Sequence, residues 1–354
     1  MGPPLAPAHP QAALPFSPDC FAGSAVLAGG GERPRAGSYG SPFLIQRVRT
    51  LLRVSRQFGS GVPLDDLVWL LPPDGPRDRT ELRDWLLERP DLARIDGARA
   101  FPPEGEPSDI PERLARAGEY HVAAATLVHD HLRAALPLVR CVGITGSTSY
   151  GTPESEDDLD LLVVTRTGTL WLFLAYAYFV VRIRYRTNPV AGRPRPCFNY
   201  SFEEEEGGVE MSAPRGFLFA REALTAPMIV GEEYYRSLLA SAPWMERELP
   251  RLFSRRTSGI LPQHSPSVPW PLRLLNATLF PFLACYVRFG TMYRNARVRR
   301  DGHPEREFRA RFDRRRLAFL TPRFDELAND LDPASTESRG GAGMAVASRT
   351  TASR

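Results

Sequence analysis

Residues 143–164 read GITGSTSYGTPESEDDLDLLVV. A Gly-Ser pair, Gly146 and Ser147, opens a loop, and Gly151 permits a tight return. Two acids one residue apart, Asp158 and Asp160, then enter a run of aliphatic residues. The flanking segments LVRCVGITG and DDLDLLVVT read as two short β-strands. Alternate residues of a strand face the same way, so Asp158 and Asp160 share one face and Leu159 and Leu161 the other. Adjacent carboxylates repel and raise each other's pKa unless a cation lies between them. The pair therefore suits a hard divalent ion such as Mg²⁺, which takes oxygen ligands and bridges to phosphate. Glycine lets backbone approach a ligand closely. The N–H groups of the turn and a hydroxyl then suit the phosphates of a nucleotide.

Around this stretch the chain has the composition of an ordinary soluble globular protein, with 43% hydrophobic and 24% charged residues. Its 354 residues suffice for two or three domains. A net charge of +4 suits a polyanionic partner without requiring one. All 45 basic residues are arginine, so any cation gripping phosphate here is a guanidinium fork. The four cysteines, Cys20, Cys141, Cys197 and Cys285, lack CxxC spacing. That argues against a disulfide framework or a zinc site and fits a reducing cytoplasm. The Pro/Ala-rich start lacks the charged region of a signal peptide. Two apolar stretches, 170–181 and 274–287, fall short of the roughly 20 residues that span a bilayer. Arg182 and Arg184 follow the first and Pro281 interrupts the second, so both read as buried helices rather than membrane segments.

Residues 1–40, rich in Pro, Gly and Ala, read as a disordered leader, and 334–354 as a disordered tail. Residues 42–103 carry three helical patterns and a hairpin at Asp96–Gly97, a winged-helix-like order. The third helix reads as capped at Thr80–Glu81, with Leu82, Trp85 and Leu86 inside. A long helix is expected over 109–136, ending at Pro137. It carries His129 and His131, which a helix turns to different sides, so they read as solvated rather than as a metal site. Residues 251–333 read as a helical C-terminal region. Within it 294–316 is Arg-dense and helix-compatible. It suits a solvated, ion-paired face or, in the sharper reading, a face for nucleic-acid phosphates.

The pattern Gly-Ser, three residues, Gly, then Asp-x-Asp and aliphatics resembles the nucleotidyltransferase superfamily of DNA polymerase beta type. The stretch is similar to that of bacterial and archaeal nucleotidyltransferase-domain proteins. The resemblance implies an α+β fold whose core, residues 109–250, has a short mixed sheet with flanking helices. It extends to a helix at 169–186, a strand at PCFNYSF and a helical segment over 217–249 with a small PMIVG loop. By that resemblance Asp158 and Asp160 hold two Mg²⁺ ions, and Gly146, Ser147 and Gly151 bind a nucleoside triphosphate. A nucleoside monophosphate then passes in line to an acceptor and pyrophosphate leaves. The acceptor stays open between a small molecule such as an amino sugar, an RNA end and a protein side chain.

The chain departs from the family at the third acid, expected in the middle of a hydrophobic triplet on the next strand. That triplet is Phe198-Asn199-Tyr200. Asn199 offers a carbonyl oxygen to a metal but brings no charge. The run at 203–206 reads first as a charged loop, and Glu210 is a further candidate. Without a third acid, the alternative is a degenerate fold that binds nucleotide or serves as a regulatory interaction module.

Overall fold

The computed structural model describes residues 39–104, 109–155, 157–187, 194–259, 267–302 and 307–320. The tail expected over 334–354 lies outside these residues, as does the leader expected over 1–40 apart from Tyr39 and Gly40. Tyr39 is no part of a loose leader. Its side chain is buried, its hydroxyl donates to Glu81 at 3.0 Å, and its carbonyl accepts from the Trp85 indole at 2.8 Å.

The front of the chain folds as α1 (Pro42–Gln57), β1 (Val62–Pro63), α2 (Leu64–Leu70), α3 (Arg79–Leu87), β2 (Arg94–Asp96) and β3 (Arg99–Phe101). The strands pair antiparallel in the order β1-β3-β2. α1 buries Leu44, Val48, Leu51 and Leu52, the stripe that helical periodicity gives. The cap of α3 is Asp78, two residues ahead of the expected Thr80. Its side chain accepts from the Glu81 N–H at 2.9 Å, and Glu81 reaches back to the Arg77 N–H at 2.9 Å.

α4 (Ile110–Thr126) is shorter than the helix expected over 109–136. It passes into a π turn at Leu127–His131 and then a 3₁₀ turn at Arg133–Leu138 that contains Pro137. The wider turn collects Leu127, Val128 and Leu132 in the core.

The rest of the chain builds one mixed sheet between two helical layers. In order it comprises β4 (Val139–Ile144), α5 (Gly146–Ser149), β5 (Leu159–Thr165), α6 (Leu170–Thr187), β6 (Pro196–Glu203), α7 (Glu204–Ser212), α8 (Gly216–Thr225), β7 (Met228–Val230) and α9 (Glu232–Ala240). α10 (Trp244–Glu248), α11 (Pro250–Thr257), α12 (Trp270–Arg300), β8 (Arg309–Phe312) and β9 (Arg316–Leu320) follow. The sheet order is β7-β4-β5-β6-β9-β8, with β5 and β6 parallel and the other neighbours antiparallel. The architecture is α+β with a mixed sheet. β5 is buried on both faces. Leu162 and Val164 enter a core shared with the front helices and α8–α11, while Leu159, Leu161 and Val163 enter a second core with α4 and α6.

Three expectations change here. The region expected to be helical over 251–333 contains two strands, and the Arg-dense helix expected over 294–316 stops at Arg300. In β8 beyond it apolar residues alternate with arginine, a period of two. Ala310, Phe312 and Phe319 pack on the second core, where Leu317 is buried. The four glutamates at 203–206 are no loop. Glu203 accepts from the Leu170 N–H at the start of α6, Glu204 pairs with Arg140, and Glu205 and Glu206 pair with Arg315. Of the two apolar stretches expected to be buried, α6 buries Leu170, Trp171, Phe173, Leu174 and Ala177. α12 instead buries only Asn276 and Val287 fully and leaves most of its large apolar side chains in solvent.

Asn276 joins the two helices. Its Oδ1 accepts from the Trp171 and Leu172 N–H groups at 2.7 and 3.0 Å, satisfying donors that the first turn of α6 cannot use internally. Replacing it leaves two amides unpaired in a closed environment. Asn276→Ala is expected to cost about 1–3 kcal/mol of stability in urea unfolding, whereas Asn276→Asp, which keeps the acceptor, is expected to cost less.

Candidate functional site

The glycine loop lies between β4 and β5, and its conformation follows from Gly146. This residue has φ +65°, and a Cβ built on it would lie 2.4 Å from Asp160 Oδ2. Both the left-handed turn and the approach of the carboxylate require a bare Cα. The Thr145 N–H donates to the Asp160 carbonyl at 3.0 Å, fixing the start of the loop to the strand. The Ser147 carbonyl accepts from the Tyr150 and Thr152 N–H groups, which closes the turn. Gly151 also has positive φ, +77°.

Asp160 is the second residue of β5 and points to the same side as Leu162 and Val164. Asp158 lies one residue before the strand, because a tight turn through Glu154 and Asp157 occupies the chain up to 157. Tyr120 of α4 holds that turn by donating to the carbonyls of Glu154 and Asp157. The two acids remain electrostatic neighbours. Burial pushes the Asp160 carboxyl up to about 7, and the charges of Asp158, Glu222 and Asp157 add to the rise, against the pull of Arg294. Asp158 is raised by burial too, opposed by Arg294 and Arg195.

α8 closes the loop from the other side through consecutive residues. The Gly146 N–H donates to Glu222 Oε1 at 3.1 Å, and the Arg221 guanidinium lies 4.3 Å from the centre of the Tyr150 ring. Burial raises the Glu222 carboxyl, while the Gly146 N–H and Arg221 partly offset it. A third acid is expected at the position of Asn199, in the 203–206 run or at Glu210; the carboxyl that reaches the Gly146 amide is Glu222. Its one sequence signal was its place in FLFAREALTAP, beside the PMIVG loop. Glu210 lies in an ion-pair group, accepting from Tyr200 at 2.7 Å and Arg316 at 2.9 Å and pairing with Arg215. Asn199 sits where β6 sets three residues against two of β5, next to the Asp160–Cys197 register pair. Among the described residues its Oδ1 has no hydrogen-bond partner, and the same holds for Thr145 and Thr148 Oγ1 at the loop.

The front helices also reach the loop. The Phe58 and Tyr150 rings stack at 4.1 Å, and the Thr152 hydroxyl donates to the Phe58 carbonyl at 2.9 Å. Residues from four distant parts of the chain therefore meet at 146–160.

Among the described residues no group of three His, Cys, Asp or Glu side chains could by itself hold a metal ion. Mg²⁺ commonly takes only one or two protein carboxylates and completes its shell with water and phosphate. A hard-oxygen pair whose charges crowd one another, beside orphaned oxygens at Thr145 and Asn199, fits that ion. A shallow depression of about 480 Å³ lies elsewhere, lined by Arg288, Ala310, Arg311, Phe312 and Arg316. No family model, curated protein or solved structure matches the chain.

The Asp160 carboxyl holds its proton in the fold up to about pH 7, whereas in the unfolded chain it releases it near the ordinary value of 3.8. Stability from this group is complete below the unfolded value and is lost as pH rises through about 7. Asp160→Asn is therefore expected to melt several degrees above the parent at alkaline pH. The gap should close toward about pH 4 in calorimetric scans across pH.

Proposed function

We propose that the chain is a divalent-metal-dependent nucleotidyltransferase of the DNA polymerase beta type. One juxtaposition carries the reading: the bare Cα of Gly146 against the Asp160 carboxyl, with Asp158 beside it. A buried carboxyl pair costs stability unless charge is brought to it, so its persistence beside a glycine turn favours a cation and phosphate as its partners. The mixed sheet, with the loop joining β4 to β5, supports the same reading.

Asp158 and Asp160 are the side chains that would hold Mg²⁺. The ion would neutralise phosphate charge and lower the pKa of the attacking hydroxyl. The loop from Gly146 to Gly151 receives the triphosphate, with the Ser147 hydroxyl as a donor. Arg294, whose charge acts on both acids, offers a guanidinium to the departing pyrophosphate. Glu222 supplies the third carboxyl from α8 instead of β6. Positioning and charge neutralisation account for the rate. The front residues, in the order helix, strand, two helices and hairpin, support a winged-helix-like reading, and such a module would present the acceptor or a partner near Tyr150.

One observation favours a second reading. The Gly146 amide, expected to meet phosphate, already donates to Glu222. A chain locked in that state would bind nucleotide without transferring it.

Incubation with labelled nucleoside triphosphates, Mg²⁺ and a cell extract as acceptor source separates the two. Transfer of label is expected, with a loss of about a hundredfold or more in Asp158→Ala/Asp160→Ala and a smaller loss in Glu222→Gln. Label transfer that survives the double substitution contradicts the site. Thermal stabilisation by Mg²⁺ and nucleotide with no transfer from any triphosphate favours the second reading.

A further inference from the structure

α12 presents an apolar face that nothing in the described fold covers. Leu274, Phe282, Phe289 and Tyr293 recur at helical spacing and are exposed, Phe282 and Tyr293 to 74% each. Tyr286 lies next to this row and is exposed as well. From 274 to 293 the row runs about 28 Å. Single exposed apolar residues are ordinary, but a continuous stripe of aromatic and aliphatic side chains of this length marks a contact surface.

The charge around it selects the partner. Between Trp270 and Arg300 there are six arginines and no acidic residue. Arg288 is the neighbour of Phe289 and lines the shallow depression with Arg311 and Arg316, over a floor of Ala310 and Phe312. Arg316 is neutralised by Glu210 and Asp313. Arg288 and Arg311 make no ion pair among the described residues. The edge strand β8 carries Arg309 and Arg311 outward beside the helix. Apolar stripe and guanidinium groups thus lie side by side.

We infer that this face docks on the surface of an anionic phospholipid bilayer, with the α12 stripe in the acyl boundary and Arg288, Arg309 and Arg311 on headgroup phosphates. Anionic headgroups attract the arginines that flank the row, and its exposed apolar side chains suit the acyl boundary. α12 is long and apolar enough to cross a membrane. Its other side, however, is committed to protein. Asn276 bonds α6, Phe280 packs edge-on against Trp171 at 5.1 Å, and Asn295 bonds the Phe308 backbone at 2.9 Å. One face on protein and one outward is the arrangement of a helix that lies on a membrane. A second copy of the chain fits less well, because its arginines would oppose these with no acid on the helix to pair them. A nucleic acid would meet apolar rings along the centre of the face.

The inference is independent of the nucleotide site and is tested without it. Full-length protein is floated with vesicles of phosphatidylcholine alone and of phosphatidylcholine mixed with phosphatidylglycerol. Binding is expected to the mixed vesicles, to weaken with salt, and to be at least about tenfold weaker with phosphatidylcholine alone. Phe282→Asp/Phe289→Asp is expected to lose binding by about tenfold or more, and Arg288→Glu/Arg311→Glu to lose its salt-sensitive part. These positions are exposed, and unchanged melting of each variant verifies the fold. No flotation with mixed vesicles, or equal flotation of the Phe282→Asp/Phe289→Asp variant, overturns the proposal. So does a lipid-free dimer that this variant dissociates, or RNA binding without lipid binding that Arg288→Glu/Arg311→Glu abolishes.

Discussion

The contact between the Asp160 carboxyl and the bare Cα of Gly146 is the constraint on which the central part of this molecule turns. It forces a left-handed residue at the exit of β4, and it confines the carboxyl where burial and three other acids raise its pKa. The neighbouring contacts hold that arrangement. Thr145 ties the loop to β5, Glu222 takes the Gly146 N–H, and Tyr120 pins the turn that delivers Asp158. An acid cluster of this kind is unfavourable in an empty protein interior. A fold that builds it from β5, α8 and a glycine turn stores electrostatic tension that a cation would relieve, which is the physical basis of the proposed activity.

The same molecule has two surfaces of unlike character connected by α12. Near its C-terminal end Arg294 acts on the acids, and along its length the outward row is apolar. The inner side fastens to α6 through Asn276 and to the second core through Val287. On the proposed reading, membrane docking brings the acid loop to a fixed orientation near the bilayer without altering the loop itself.

Much of the candidate site was legible in the sequence, because the information is local. Gly146, Gly151, Asp158 and Asp160 lie within fifteen residues, and local turn chemistry brings them together, although Asp158 precedes β5 instead of sharing its alternation. The strands β4 and β5 and the front helices follow from patterns of two and of three to four. Glu222 was not legible, because only the packing of α8 on the loop brings it to Gly146 across 76 positions. Strands β8 and β9 hid in a segment whose arginine content suits a helix, and pairing with β6 decided the matter. The exposure of α12 hid for a similar reason: an apolar row signals a contact surface, and composition alone does not say whether protein or another phase covers it.

The claim that the acids and the glycine loop form one nucleotide site is tested most directly by calorimetric titration of the full chain with non-hydrolysable nucleoside triphosphates, with and without Mg²⁺. Binding that requires both triphosphate and Mg²⁺, and that Asp158→Asn/Asp160→Asn removes while the protein stays folded, is the predicted result. Binding of equal strength without Mg²⁺ or in that variant, or no binding of any triphosphate to the parent chain, would contradict it.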